Sequence, residues 1–134
     1  MWHRSAAGSD HVRGSMAIEF AIVAPALLMF LFALVDTGWL LWSYTTLSRA
    51  VAEAARCAVV NTVTCSTASA VESYAATQAW GLGLASSAFT VTTPSCGTQV
   101  QGTMVYYFVT PWFYVAAPFG VGNSITLTAT ACYP

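Results

Sequence analysis

Hydrophobic positions follow three different patterns along this chain. Residues 21–35 form an uninterrupted uncharged run, Ala-Ile-Val-Ala-Pro-Ala-Leu-Leu-Met-Phe-Leu-Phe-Ala-Leu-Val, and extension to residue 42 gives 22 residues broken only by Asp36, Thr37 and Gly38. A helix crosses a bilayer with about 20 residues at 1.5 Å each, so the run predicts one transmembrane segment over about residues 18–42. Pro25 removes a backbone donor and predicts a kink, which membrane helices tolerate. Beyond it, Leu47, Val51, Ala54 and Ala58 recur at three- and four-residue spacing while Ser48, Arg49, Glu53 and Arg56 take other faces. That period predicts that the helix continues to Val60, a rod of about 69 Å from residue 15 if unbroken.

The third pattern begins after Val60, where Thr, Ser and Cys make residues 61–68 a loop. Ser69-Ala70-Val71-Glu72 has the capping-box spacing and Gly81 and Gly83 are available stops, so a short helix is predicted over residues 70–80. Two-residue alternation then predicts strands over 88–93, 99–110 and 124–132, most cleanly in Ile125-Thr126-Leu127-Thr128-Ala129-Thr130-Ala131-Cys132. The fold class is α+β: a long N-terminal transmembrane helix over 15–60, then a small domain over 61–134 with a short helix and a three-stranded antiparallel sheet.

Composition sharpens this reading. Hydrophobic residues make up 57% of the chain and charged residues 7%, where a soluble domain carries roughly a quarter charged. The chain has four Arg, no Lys and a formal net charge of -1. Nucleic acid is excluded as a partner, because binding it requires a basic stripe and two of the four Arg precede residue 15. The flank before the apolar run holds His3, Arg4, His11 and Arg13, whereas the flank after it begins Ser43, Tyr44, Thr45 and Thr46. The positive-inside rule places the N-terminus in the cytoplasm, so the C-terminal domain is expected on the far side of the membrane. A cleaved secretory signal would end at a small-x-small site, but here bulky Trp39, Leu40, Leu41 and Trp42 follow.

The junction Arg13-Gly14-Ser15-Met16-Ala17-Ile18-Glu19-Phe20 carries more specific information. A Gly, an acidic residue five positions later, then Phe and an apolar helix resemble the processing site of type IV pilins. Glu19-Phe20-Ala21-Ile22-Val23-Ala24-Pro25, Val35-Asp36-Thr37-Gly38-Trp39-Leu40-Leu41 and Ala50-Val51-Ala52-Glu53-Ala54-Ala55-Arg56 are similar to the TadE-like pseudopilins of the tight-adherence pilus system. The resemblance covers roughly residues 13–60. Asp36 stands where Glu is commoner in that family, and Trp39 where a small or basic residue often follows the Gly. The resemblance implies a prepilin leader over residues 1–14, cleavage between Gly14 and Ser15 by a prepilin peptidase, and assembly through Glu19, Phe20 and Pro25. Its implied partners are other pilin subunits or inner-membrane assembly proteins, alongside the lipid bilayer, with the pilus or cell surface as the final location.

A carboxylate near the end of a spanning helix is costly unless it finds a partner. By resemblance, Glu19 pairs with the new amine of Ser15 on a neighbouring subunit; the alternative is a residue at headgroup level favoured by the positive helix N-terminus. Asp36 follows seventeen residues later, about 25 Å along a helix. It is expected near the far interface, exposed to periplasmic water, in preference to an intersubunit contact.

Cys57, Cys65, Cys96 and Cys132 all follow the apolar run, where an oxidising compartment favours disulfides. Of three connectivities, local spacing favours Cys57 with Cys65 and Cys96 with Cys132. A structural zinc site is the alternative, but no Cys-x-x-Cys occurs and no His follows Gly14. Both histidines lie in the leader, so a mature chain would have neither His nor Lys to activate a nucleophile. Glu19, Asp36, Glu53 and Glu72 are spread along helices too widely for an acid/base pair, and Gly81-Leu82-Gly83 lacks the Lys and helix of a phosphate loop. The expectation is a non-enzymatic chain without cofactors or metals. Trp112, Phe113, Tyr114 and Phe119, between Pro111 and Pro118, either cover the sheet or form a contact patch for another pilin or for headgroups. Two functions follow: a structural pseudopilin of the Tad pilus, or an uncleaved single-pass envelope protein whose exported domain is a binding module.

Overall fold

The computed structural model describes residues 10–109 and 123–134, with side chains from residue 16 onward. The first helix, α1, spans Asp10–Val60 over 51 residues. Helical backbone is described from Asp10 onward and passes through the Gly14–Ser15 bond. The helix also continues through Pro25.

The chain divides into two compact units, Met1–Val35 and Asp36–Pro134. In the first, the apolar side chains of residues 16–35 face outward: Phe20 is 73% exposed and Phe30 61%. The second contains the rest of α1, a short helix α2 (Ala68–Gln78), a 3-10 turn (Ser86–Ala88), and strands β1 (Phe89–Thr92), β2 (Thr98–Tyr107) and β3 (Ser124–Tyr133). The sheet order is β1-β2-β3, antiparallel throughout, with Phe89 opposite Gly102 and Gly102 opposite Ala129.

The core of the second unit follows from residue size. Leu47, Ala50, Val51, Ala54 and Ala55 of α1, Val71 and Ala75 of α2, and Phe89, Val100, Leu127 and Ala129 of the sheet are buried together. Small residues on both helices let backbones approach. Gly102 serves the same purpose in the sheet, since a Cβ there would lie 2.9 Å from both Leu47 Cδ1 and Phe89 Cε1. The Thr residues of β3 at 126, 128 and 130 are exposed, as the alternation implied, although Ile125 also stays 41% exposed.

Element boundaries differ from the sequence expectation where capping decides them. Helix α2 lies two residues earlier than 70–80 because Thr67, not Ser69, is its N-cap; the Thr67 hydroxyl accepts from the Ala70 N–H at 3.2 Å. Strand β1 is shorter than 88–93 because a 3-10 turn takes Ala88. Strand β2 ends at Tyr107 rather than 110: Phe108 N–H still donates to Asn123 O at 2.9 Å, in step with the β2–β3 register, whereas Val109 N–H turns to Asp36 and Thr110 lies outside the described residues. Disulfides join Cys57 to Cys65 and Cys96 to Cys132, with Cα separations of 5.8 and 6.3 Å. The first anchors the loop after α1; the second ties the β1–β2 hairpin to the end of β3.

Candidate functional site

Two features of α1 carry chemistry that the rest of the fold does not. The first is the apolar stretch itself. The stretch Met16–Val60 is long and apolar enough to cross a membrane, with mean hydropathy 2.5 in its most apolar window and none of that window buried. Exposed side chains such as Ile22, Leu27, Phe30, Phe32 and Val35 cannot remain in water at this density without a covering medium. Glu19, Phe20 and Pro25 are exposed on this stretch. Gly14 and Ser15 lie in its helical backbone, and their side chains are outside the described set. Trp112, Phe113, Tyr114 and Phe119 also lie outside the described residues.

The second feature is Asp36, and here the expectation of a water-exposed carboxylate is overturned. Asp36 is only 5% exposed. The Tyr106 hydroxyl donates to Asp36 Oδ1 at 2.9 Å and lies 3.2 Å from the Asp36 carbonyl oxygen. The Val109 N–H donates to Asp36 Oδ2 at 3.2 Å. A buried carboxylate must be hydrogen-bonded, and from residue 73 onward the chain contains no Arg, Lys, Asp or Glu. The hydroxyl of Tyr106 in β2 and the amide of Val109, just after it, do this work. The Tyr106 phenol is pushed up to about 12, chiefly by burial and then by the hydrogen bond and negative charge of Asp36. Tyr106 thus remains a neutral donor at any ordinary pH, and the arrangement fastens the end of β2 to α1 within the second unit.

Sequence reasoning missed this pair because Tyr106 is an ordinary member of an alternating strand, seventy residues away. A usable signal was present: an Asp inside a 22-residue apolar run, on a chain so poor in cations, needs neutral donors from a distant segment. Of the aromatic contacts, the one between Trp42 and Trp80 is likewise distant in sequence. Trp42 meets Trp39 one helical turn away at 5.4 Å between ring centroids, and Trp80 from the turn after α2 at 5.9 Å, both edge-to-face.

Among the described residues, no group of three or more His, Cys, Asp or Glu is placed to hold a metal, and nothing gathers catalytic features. What distinguishes the chain is the outward-facing apolar helix, preceded by Gly14 and marked by Glu19 and Asp36. Residues 14–56 match the model of the TadE-like protein family. The TadE-like match spans about a third of the chain's 134 residues and covers both the outward-facing and the packed parts of α1 up to Arg56. No curated protein and no solved structure matches the chain.

Proposed function

We propose that this chain is a non-enzymatic, pilin-like structural subunit of a Tad-type adhesion pilus, a minor pilin or pseudopilin. In this reading it is made as a membrane prepilin with residues 1–14 in the cytoplasm and residues 61–134 in the periplasm. A prepilin peptidase cuts between Gly14 and Ser15, and the helix then assembles with other pilin subunits or inner-membrane pilus proteins. The observation that carries the reading is an overlap: the TadE-like match over residues 14–56 contains the apolar stretch whose described side chains stand exposed on the helix. Such a surface is covered by lipid before assembly and by neighbouring helices after it.

The test is mass spectrometry of the N-terminus of protein recovered from membranes and from sheared pili. A mature chain beginning at Ser15 is expected, and Met1 on assembled protein in cells with an active prepilin peptidase would refute processing.

One observation favours the second reading, an uncleaved single-pass anchor. The described helical backbone over residues 10–60 includes the Gly14–Ser15 bond. Cleavage there requires α1 to unwind around Gly14, and retention of Met1 in every fraction is the outcome that would select the anchor instead.

A further inference from the structure

We infer that, in the membrane-inserted state, the exported unit rests on the bilayer surface through a tryptophan cluster of Trp39, Trp42 and Trp80. The inference rests on the insertion of the apolar helix, which both readings above share. Trp39 and Trp42 follow the last residue of the uncharged run by four and seven positions, where Trp and Tyr are characteristic of the boundary between hydrocarbon and headgroups. Trp80 is not adjacent in sequence. The fold brings it there by running α2 back along α1: Cys65, before α2, is bridged to Cys57, and Trp80, after α2, meets Trp42.

The turn is shaped for this contact. Gly81 has a φ of +80°, and a Cβ there would lie 2.8 Å from the ring of Trp42. A side chain at 81 is thus excluded by conformation and by space, which leaves Trp80 free to stand beside the helix. Although the cluster has internal edge contacts, Trp39 is 58% exposed and Trp80 65%, with Leu41 60% and Tyr44 46% exposed nearby in sequence. A large ring held in the open by a dedicated glycine turn is costly in water and favourable at an interface, where its N–H can meet a headgroup.

Charge placement selects the lipid boundary as the occupant. The charged residues of the second unit are Asp36, Arg49, Glu53, Arg56 and Glu72, and Asp36 is buried. The remaining four belong to the far part of α1 and to the start of α2, near the Cys57–Cys65 bridge; Glu53 and Arg56 line a hollow there with Tyr74. The tryptophan end of the same helix pair carries no exposed charge among the described residues. The unit is therefore polar at one end of its helices and aromatic at the end that continues the apolar run.

The experiment uses the full chain in vesicles of phosphatidylethanolamine and phosphatidylglycerol, with variants that keep only Trp39 or only Trp80 and carry Phe at the other tryptophan positions. Fluorescence is quenched by lipids labelled at shallow or deep acyl positions. We expect both single tryptophans to be quenched, at least twofold more by the shallow label than by the deep one. Quenching of Trp39 with a water-exposed, unquenched Trp80 would overturn the inference while leaving membrane insertion intact. Quenching of neither would show that the helix is not inserted and would remove both. Shielding of Trp80 that depends on the protein-to-lipid ratio rather than on the labelled lipid would assign its cover to a second copy and also overturn the inference. Because the Phe substitutions could disturb folding, the wild-type chain labelled with 5-fluorotryptophan supplies a second measurement. Its Trp80 resonance, assigned by loss in Trp80→Phe, should broaden with a paramagnetic headgroup lipid, and an unbroadened resonance refutes the contact.

Discussion

Both parts of α1 carry many apolar residues, the first almost without interruption and the second interleaved with polar ones, and they meet opposite fates. Residues 16–35 use large side chains, Phe20, Ile22, Leu27, Phe30 and Phe32, and every one of them is exposed. After Asp36 the helix turns Leu47, Ala50, Val51, Ala54 and Ala55 inward, all at 0–1% exposure. The difference lies in arrangement. An apolar stripe with Ala at close-packing positions and Arg49, Glu53 and Arg56 elsewhere recruits a sheet, whereas a helix apolar on all faces has no side left for water. Hydrophobicity alone thus does not mark a core; its angular distribution along the helix decides whether protein or lipid covers it.

The comparison is broken most sharply by truncating one large ring in each part. Phe89→Ala, which removes the largest fully buried side chain of the core, should destabilise the second unit by about 3–5 kcal/mol. Phe30→Ala should leave the same denaturant midpoint, followed by near-UV circular dichroism in detergent, unchanged. Equal losses would mean that residues 16–35 contribute to that core after all.

A substitution specific to the outward-facing part comes next. Glu19→Ala should leave insertion unimpaired and leader removal intact, because a spanning helix without a carboxylate is easier to keep in lipid. If the chain is processed and assembled as proposed, incorporation into the pilus complex should fall, since an unpaired Ser15 amine in a low-dielectric interface costs roughly 3–5 kcal/mol. Co-purification with pilus components at wild-type yield would return Glu19 to a headgroup-level role.

The disulfides sharpen the other side. Their sequence separations are 8 and 36 residues, and loop-closure entropy then assigns about 2.5 kcal/mol to Cys57–Cys65 and about 4 kcal/mol to Cys96–Cys132. Paired Cys→Ser variants, compared by urea unfolding, should preserve that order, with membrane partitioning unaffected in both. A reversed order would show that native contacts around the first bridge outweigh chain entropy.

The smallest effect concerns the Asp36 contact. Tyr106→Phe should cost about 1.5–3 kcal/mol, as for a hydrogen bond to a charged group. Because burial and Asp36 raise the phenol from 10.0 to about 12, the folded state holds the proton where the unfolded state has lost it. This contribution is complete below pH 10 and is lost as pH rises through 12. Unfolding midpoints across that window should therefore fall more steeply for wild type than for Tyr106→Phe, and parallel slopes would show that the phenol does not report on folding.

Much of this architecture was legible in the residues themselves. The apolar run, the helical continuation to Val60, the short second helix, the three alternating strands and the Cys57–Cys65 pairing rest on local periodicity or short-range spacing, which a single chain displays, and with that pair made Cys96 and Cys132 are the two cysteines left. The TadE-like signature from Gly14 to Arg56 is local in the same sense. Boundaries set by a competing cap, such as Thr67 in place of Ser69, were displaced by two residues because neighbouring hydroxyls offer near-equivalent caps. Only the tertiary structure decided the rest. It buried Asp36 under Tyr106 and the Val109 amide, and it set Trp80 against Trp42 across a Gly81 turn. Both contacts join segments far apart in the chain, and both depend on how the sheet and α2 lie along α1. Periodicity reports which face of an element is apolar; the partner that reaches it is determined by packing.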